Sequence, residues 1–131
     1  MNEKMKMNYV KFNNHPKGLE TDDCVVRSIS KAFEKDYLET RRDLNRMKRK
    51  LGFQSYKETK FIYKYLSEFK RIIIKVEKGQ PRLKGYDFLE KYSKGTYLLN
   101  MAGHITVVVD GILYDLWDCR HKTVYTAWKL K

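Results

Sequence analysis

Cysteine is scarce in this chain. Cys24 and Cys119 are its two representatives among 131 residues, which excludes a fold stapled by a disulfide framework. Long apolar runs are missing as well: no stretch approaches the roughly 20 residues of a membrane-crossing helix. No N-terminal apolar segment resembles a signal peptide. Internal repeats, low-complexity tracts and linkers are absent. The sequence therefore predicts one domain in a reducing, cytoplasmic setting, with a Cys24–Cys119 disulfide not expected. A chain of this length buries about two thirds of the surface its unfolded form exposes, so it needs no cross-link to fold.

Acidic residues are also in the minority, 16 Asp and Glu against 28 Lys and Arg, for a formal charge of +12. The excess is densest at Arg41, Arg42, Arg46, Lys48, Arg49 and Lys50. Such a surface attracts nucleic acid or acidic protein, and Arg41, Arg42, Arg46 and Arg49 are the candidate contacts. Tyr56, Tyr63 and Tyr65 offer stacking groups. A charge patch gives attraction without specificity, and no zinc-finger, RNP-type or glycine-rich phosphate motif accompanies it. An A·T-rich coding bias and the solvated face of one helix explain the same residues.

The hydrophobic pattern divides the chain. Residues 1–20 are polar and read as an arm or short edge element. In residues 21–70, Thr21, Asp22 and Asp23 offer cap oxygens ahead of Val25, Ile29 and Phe33 at helical spacing, with Arg27, Lys31 and Lys35 as a parallel basic stripe. Asp36 and Glu39 resemble a capping box for a second helix whose Leu44, Met47 and Leu51 face inward until Gly52. A third helix carries Phe61, Ile62, Tyr65, Leu66 and Phe69. Residues 71–131 read mainly as sheet: strands over 71–76, 96–101, 105–109, 112–117 and 123–128, with a short helix over 86–92. The prediction is an α+β domain, a helical N-terminal half packed on a mostly antiparallel C-terminal sheet.

Within that frame Cys24 falls just inside a helix start, where unpaired N–H groups and the helix dipole favour thiolate. His104 falls at the head of a strand and reads as its base. If Asp110-Gly111 is a two-residue hairpin turn, Val109 pairs with Ile112 and Thr106 faces Asp115. Asp115 then lies diagonally across from His104 on the same face, placed to fix its tautomer and stabilise the imidazolium. One more residue in the turn favours Asp118. Each residue also has an ordinary reading: an inert buried thiol, a strand histidine, an edge carboxylate, and for Trp117 core packing.

The stretch Glu20-Thr21-Asp22-Asp23-Cys24-Val25-Val26 is similar to the nucleophile motif of the peptidase domain in bacteriocin-exporting ABC transporters, a papain-like cysteine peptidase fold in which Glu-Thr-Asp-Cys-Gly opens the central helix. Gly103-His104-Ile105-Thr106-Val107-Val108 resembles that family's histidine strand. The Asp115-Leu116-Trp117-Asp118 stretch falls where the fold carries its third Asp or Asn. The family sets a Gln about six residues before the nucleophile as oxyanion donor, and here that position is Gly18. Asn13, Asn14 or the Cys24 backbone N–H would have to substitute. Asp23 is a second departure, because a carboxylate aimed at the sulfur raises the thiol pKa.

The resemblance implies acyl transfer by Cys24, His104 and Asp115 without a cofactor, in a small bacterial or phage hydrolase, most simply a peptidase acting on peptide or protein. A basic nucleic-acid-binding module and an adaptor or inhibitor without catalysis are the alternatives. No metal site is expected, since Cys119 and His121 are a close pair without a second pair at zinc-ligand spacing.

Overall fold

A computed structural model describes residues 8–131, so residues 1–7 of the expected arm lie outside the described residues. The strands are β1 (Tyr9–Lys11), β2 (Lys70–Ile73), β3 (Thr96–Met101), β4 (His104–Val109), β5 (Ile112–Asp115) and β6 (Val124–Lys129). The helices are α1 (Cys24–Phe33), α2 (Tyr37–Leu51), α3 (Thr59–Tyr65) and α4 (Gly85–Lys91). The strands form one mixed sheet in the order β1-β5-β4-β3-β6-β2. It is antiparallel except at the β1–β5 edge, and the chain is α+β as its pattern predicts. Among the described residues no helix is long and apolar enough to cross a membrane.

Alternation along the strands feeds two apolar layers. Leu98 and Val107 join Val26, Ile29, Leu44, Phe61 and Leu66 from the N-terminal helices. Their strand neighbours Leu99 and Val108 join Phe88 and Leu89 of α4 on the other side. The sheet is thus covered on one face by α1–α3 and on the other by α4. Loss of any of these fully buried leucines costs about 2–5 kcal/mol through lost transfer energy and the cavity left behind.

Local chemistry sets the ends of the elements. Asp36 Oδ2 accepts from the Glu39 N–H at 3.1 Å to start α2, and Gly52 stops it in the left-handed conformation at φ 79°. Asp110 (φ 47°) and Gly111 (φ 77°) are both left-handed, as a type I′ turn requires. That turn fixes the expected register, with Val109 opposite Ile112, Val108 opposite Leu113 and Val107 opposite Tyr114.

Two strands are shorter than predicted. The strand over 71–76 ends at Ile73, because the place beside Val124 that a longer β2 would occupy is taken by Leu83, whose carbonyl accepts the Val124 N–H at 2.9 Å. The strand over 112–117 ends at Asp115, whose own carboxylate captures the next backbone N–H, that of Leu116, at 2.7 Å. The short edge element expected near the N-terminus is β1, laid parallel against β5.

Candidate active site

Cys24 is the first residue of α1 and His104 the first residue of β4, so a helix end and a strand end meet where β5 has already stopped. His104 Nε2 lies 2.7 Å from Asp115 Oδ2. Cys24 and His104 line one cleft, and the His104 ring and the Ile105 backbone N–H lie near enough to the Cys24 sulfur to favour its thiolate. With Nε2 committed to Asp115, Nδ1 is the nitrogen left for the sulfur. The structure brings Cys24, His104 and Asp115 together.

The electrostatics follow from this contact order. Burial works to raise the Cys24 pKa, but the nearness of the His104 ring and the Ile105 N–H and the charges of His104 and Arg27 outweigh it and hold the thiol below its ordinary value. Burial likewise opposes the charged form of His104, yet its hydrogen bond to Asp115 and the nearness of Cys119 and Cys24 push its pKa up to about 11. Asp115 is 1 % exposed; burial there favours the neutral acid, but His104 and Arg27 keep it below the usual carboxylate range. The arrangement favours thiolate, imidazolium and carboxylate together. Cys119 is the contrast: fully buried, its thiol is pushed up by desolvation.

Arg27, which the pattern placed in a solvated stripe with Lys31 and Lys35, is 3 % exposed and belongs to the site. It donates to Asp115 Oδ1 at 2.9 Å and, one turn back, to Asp23. The Tyr37 hydroxyl donates to the other Asp23 oxygen at 2.7 Å. Asp23 is therefore turned away from Cys24, and its expected role as a cap is corrected: it makes no side-chain cap bond, since both its oxygens are engaged. The signal available in sequence was the i, i+4 spacing of Asp23 and Arg27, a common surface pairing that here is buried.

Trp117 is not core packing. It is 43 % exposed and its ring stands 5.1 Å from that of His104, tilted by 42°. It covers the imidazole on the solvent side. In front of the sulfur lies a cleft of about 250 Å³ walled by Val25, Ile62, Asn100, Gly103, His104 and Ile105. An Asp22–Lys57 ion pair of 3.2 Å sits at its rim. A larger hollow of about 910 Å³ beside α4 is walled by Leu83, Lys84, Tyr92 and other residues, with neither cysteine nor histidine among them.

The other candidates are placed elsewhere. Asp118 pairs with Arg120 at 2.7 Å, so the two-residue turn leaves Asp115 as the partner of His104. Asn13 spends its amide on the Gly18 and Leu19 carbonyls, and Asn14 donates to Ser30 Oγ at 2.7 Å. Neither lines the cleft. Arg41, Arg42, Arg46 and Arg49 are exposed on α2, with Arg46 3.0 Å from Asp43. Tyr63 and Tyr65 are taken up by packing, Tyr63 on Thr126 Oγ1 at 2.6 Å and Tyr65 stacked on Phe61, while Tyr56 packs against the same core.

His104, Asp115 and Cys119 bring three potential metal donors within 4.8 Å of one another. The Arg27 guanidinium already places a fixed cation on that carboxylate, so the group fits an ion-paired network better than a cation site. Set against protein-family models, curated proteins and solved structures, the chain matches none of them.

Proposed function

We propose that this chain is a small papain-like cysteine hydrolase that carries out acyl transfer on peptide or protein substrates with the triad Cys24, His104 and Asp115. The observation that carries the reading is the position of His104, 2.7 Å from the buried Asp115 carboxylate on one side and beside Cys24 in the same cleft on the other. A strand histidine with a merely structural role needs one partner, not a thiol and a buried carboxylate in line.

In this reading the Cys24 thiolate attacks the carbonyl carbon, forming a C–S bond as the carbonyl π pair moves to oxygen. Collapse of that tetrahedral adduct breaks the bond to the leaving group, which takes a proton from the His104 imidazolium. A water then gives a proton to neutral His104 and attacks the thioester, and the thiolate departs with the C–S electrons. Asp115 holds the ring in line throughout. Arg27 keeps that carboxylate ionised without touching the substrate. The exposed arginines of α2 favour acidic substrates.

The test is selective labelling with a peptidyl chloromethyl ketone, followed by mass spectrometry of each cysteine peptide. Modification of Cys24 alone, abolished in His104→Ala, supports the proposal; equal, slow modification of both thiols counts against it.

A further inference from the structure

The hydrolase reading leaves one requirement unmet, a side chain to stabilise the oxyanion, since Gly18 has no side chain and Asn13 and Asn14 are committed elsewhere. We infer that Asn100, which nothing in the sequence motifs marks, supplies that hydrogen bond to the acyl oxygen. The inference rests on the proposed Cys24 chemistry.

Three observations carry it. Asn100 lines the same cleft as Cys24 and His104. It stands directly opposite Ile105 in the β3–β4 register, and the Ile105 N–H lies near enough to the Cys24 sulfur to favour its thiolate. Side chains opposed across an antiparallel pair share a face with Cβ atoms about 4.5–5.5 Å apart, so the Asn100 carboxamide reaches over the strand on which the sulfur rests. Finally, among the described residues the Asn100 amide makes no side-chain hydrogen bond, although its neighbours in the sheet are closely packed and it is half-buried. No side chain holds this half-buried carboxamide, so its N–H groups are available to an acceptor in the cleft.

As Cys24 bonds to the carbonyl carbon, the oxygen gains the π pair and swings to the cleft side, where the Asn100 N–H meets it. The Cys24 backbone N–H, in the first turn of α1, is the second donor. A donor aimed at charge that exists only in the tetrahedral adduct lowers the barrier without improving the resting thiolate. That separates Asn100 from His104.

The separation defines the experiment. Alkylation by iodoacetamide needs the thiolate but forms no oxyanion, whereas acylation by p-nitrophenyl acetate needs both. Asn100→Ser and Asn100→Asp are compared with the wild type in both reactions across pH. The expected result in Asn100→Ser is an unchanged alkylation profile with acylation of Cys24 slowed roughly a hundredfold. In Asn100→Asp the new carboxylate shifts alkylation to higher pH, and acylation falls by more than that shift accounts for because the charge also opposes the oxyanion. Unchanged acylation overturns the inference. Loss of alkylation and acylation together in both variants also overturns it, because Asn100 is then holding the fold. Failure of the underlying hydrolase reading shows separately, as a wild-type Cys24 that alkylates like an ordinary thiol.

Discussion

Arg27 Nη2 lies 2.9 Å from Asp115 Oδ1 and so ties the helix that begins with Cys24 to the hairpin that carries His104. Both side chains are buried, and the guanidinium's other arm holds Asp23. Removing the cation leaves the buried Asp23 carboxylate with only the neutral Tyr37 hydroxyl and Asp115 with His104 as its one remaining charged partner. Arg27→Met is expected to lower stability by about 3–5 kcal/mol, the usual cost of breaking a buried pair from one side. Arg27→Lys keeps the charge but not the fork, and falls between. Urea unfolding of the three proteins checks the order.

Tyr37→Phe removes one hydrogen bond to Asp23 and nothing else of comparable size. The expected loss is about 1.5–3 kcal/mol, the range for a hydrogen bond to a charged group. Because Tyr37 and Arg27 share Asp23, the double variant should lose less than the sum of the two single losses, and a double-mutant cycle measures the difference.

Asp115→Asn keeps the shape of the site but removes the charge that stabilises the imidazolium. The His104 pKa is expected to fall from about 11 toward its ordinary value, followed by NMR of the ring protons. If Cys24 acts as proposed, turnover should drop roughly 10²- to 10⁴-fold, the span that general acid–base catalysis contributes.

The pair Cys24–His104 gives stability an unusual pH dependence. The raised His104 contributes fully below its unfolded pKa of about 6.5, and that contribution is lost as pH rises through about 11. The lowered Cys24 contributes above its unfolded pKa of about 8.5 and loses that contribution as pH falls through its lowered folded value. Over the part of the range from about 6.5 to 8.5 that lies above the lowered Cys24 value, the folded and unfolded states carry the same number of protons on this pair, so its stabilisation should be flat and maximal there, declining on both sides. In Cys24→Ser only the histidine contribution survives, and the difference in urea midpoint between the proteins should show the plateau replaced by a decline above about 6.5. Depression of the Asp115 pKa adds a loss at acid pH, as pH falls through its folded value.

Cys119 is fully buried with a raised thiol pKa, so native protein should label at Cys119 only after urea unfolding. Labelling at the same rate in folded and unfolded protein contradicts the burial that positions it behind Asp115.

Much of this architecture is local and therefore legible. The Asp110-Gly111 turn dictates the hairpin register, and register alone puts Asp115 within reach of His104. The Asp36 cap and the Gly52 stop bound α2 by short-range chemistry. What the pattern concealed depends on which face of α1 the sheet would cover. Arg27 lies at the same helical spacing as the half-buried Lys31 and the exposed Lys35, and its burial is decided by a carboxylate 88 residues away. The same distance hides the true orientation of Asp23, whose proximity to Cys24 in sequence points to repulsion that the Arg27 and Tyr37 contacts remove. Trp117 sits outside the core because β5 stops two residues early, an ending set by the Asp115 carboxylate and not by any turn residue. Asn100 carries no motif, and only pairing with Ile105 brings it to the cleft.

The most direct test of the Cys24–His104 pair is the rate of Cys24 alkylation by iodoacetamide as a function of pH, read peptide by peptide in the wild type and in His104→Ala. The expected result is a wild-type rate that persists well below the ordinary thiol range of about 8.5 and a variant that titrates as a free or buried thiol. Identical profiles in the two proteins, both with an ordinary thiol pKa, would contradict the activated pair and with it the hydrolase proposal.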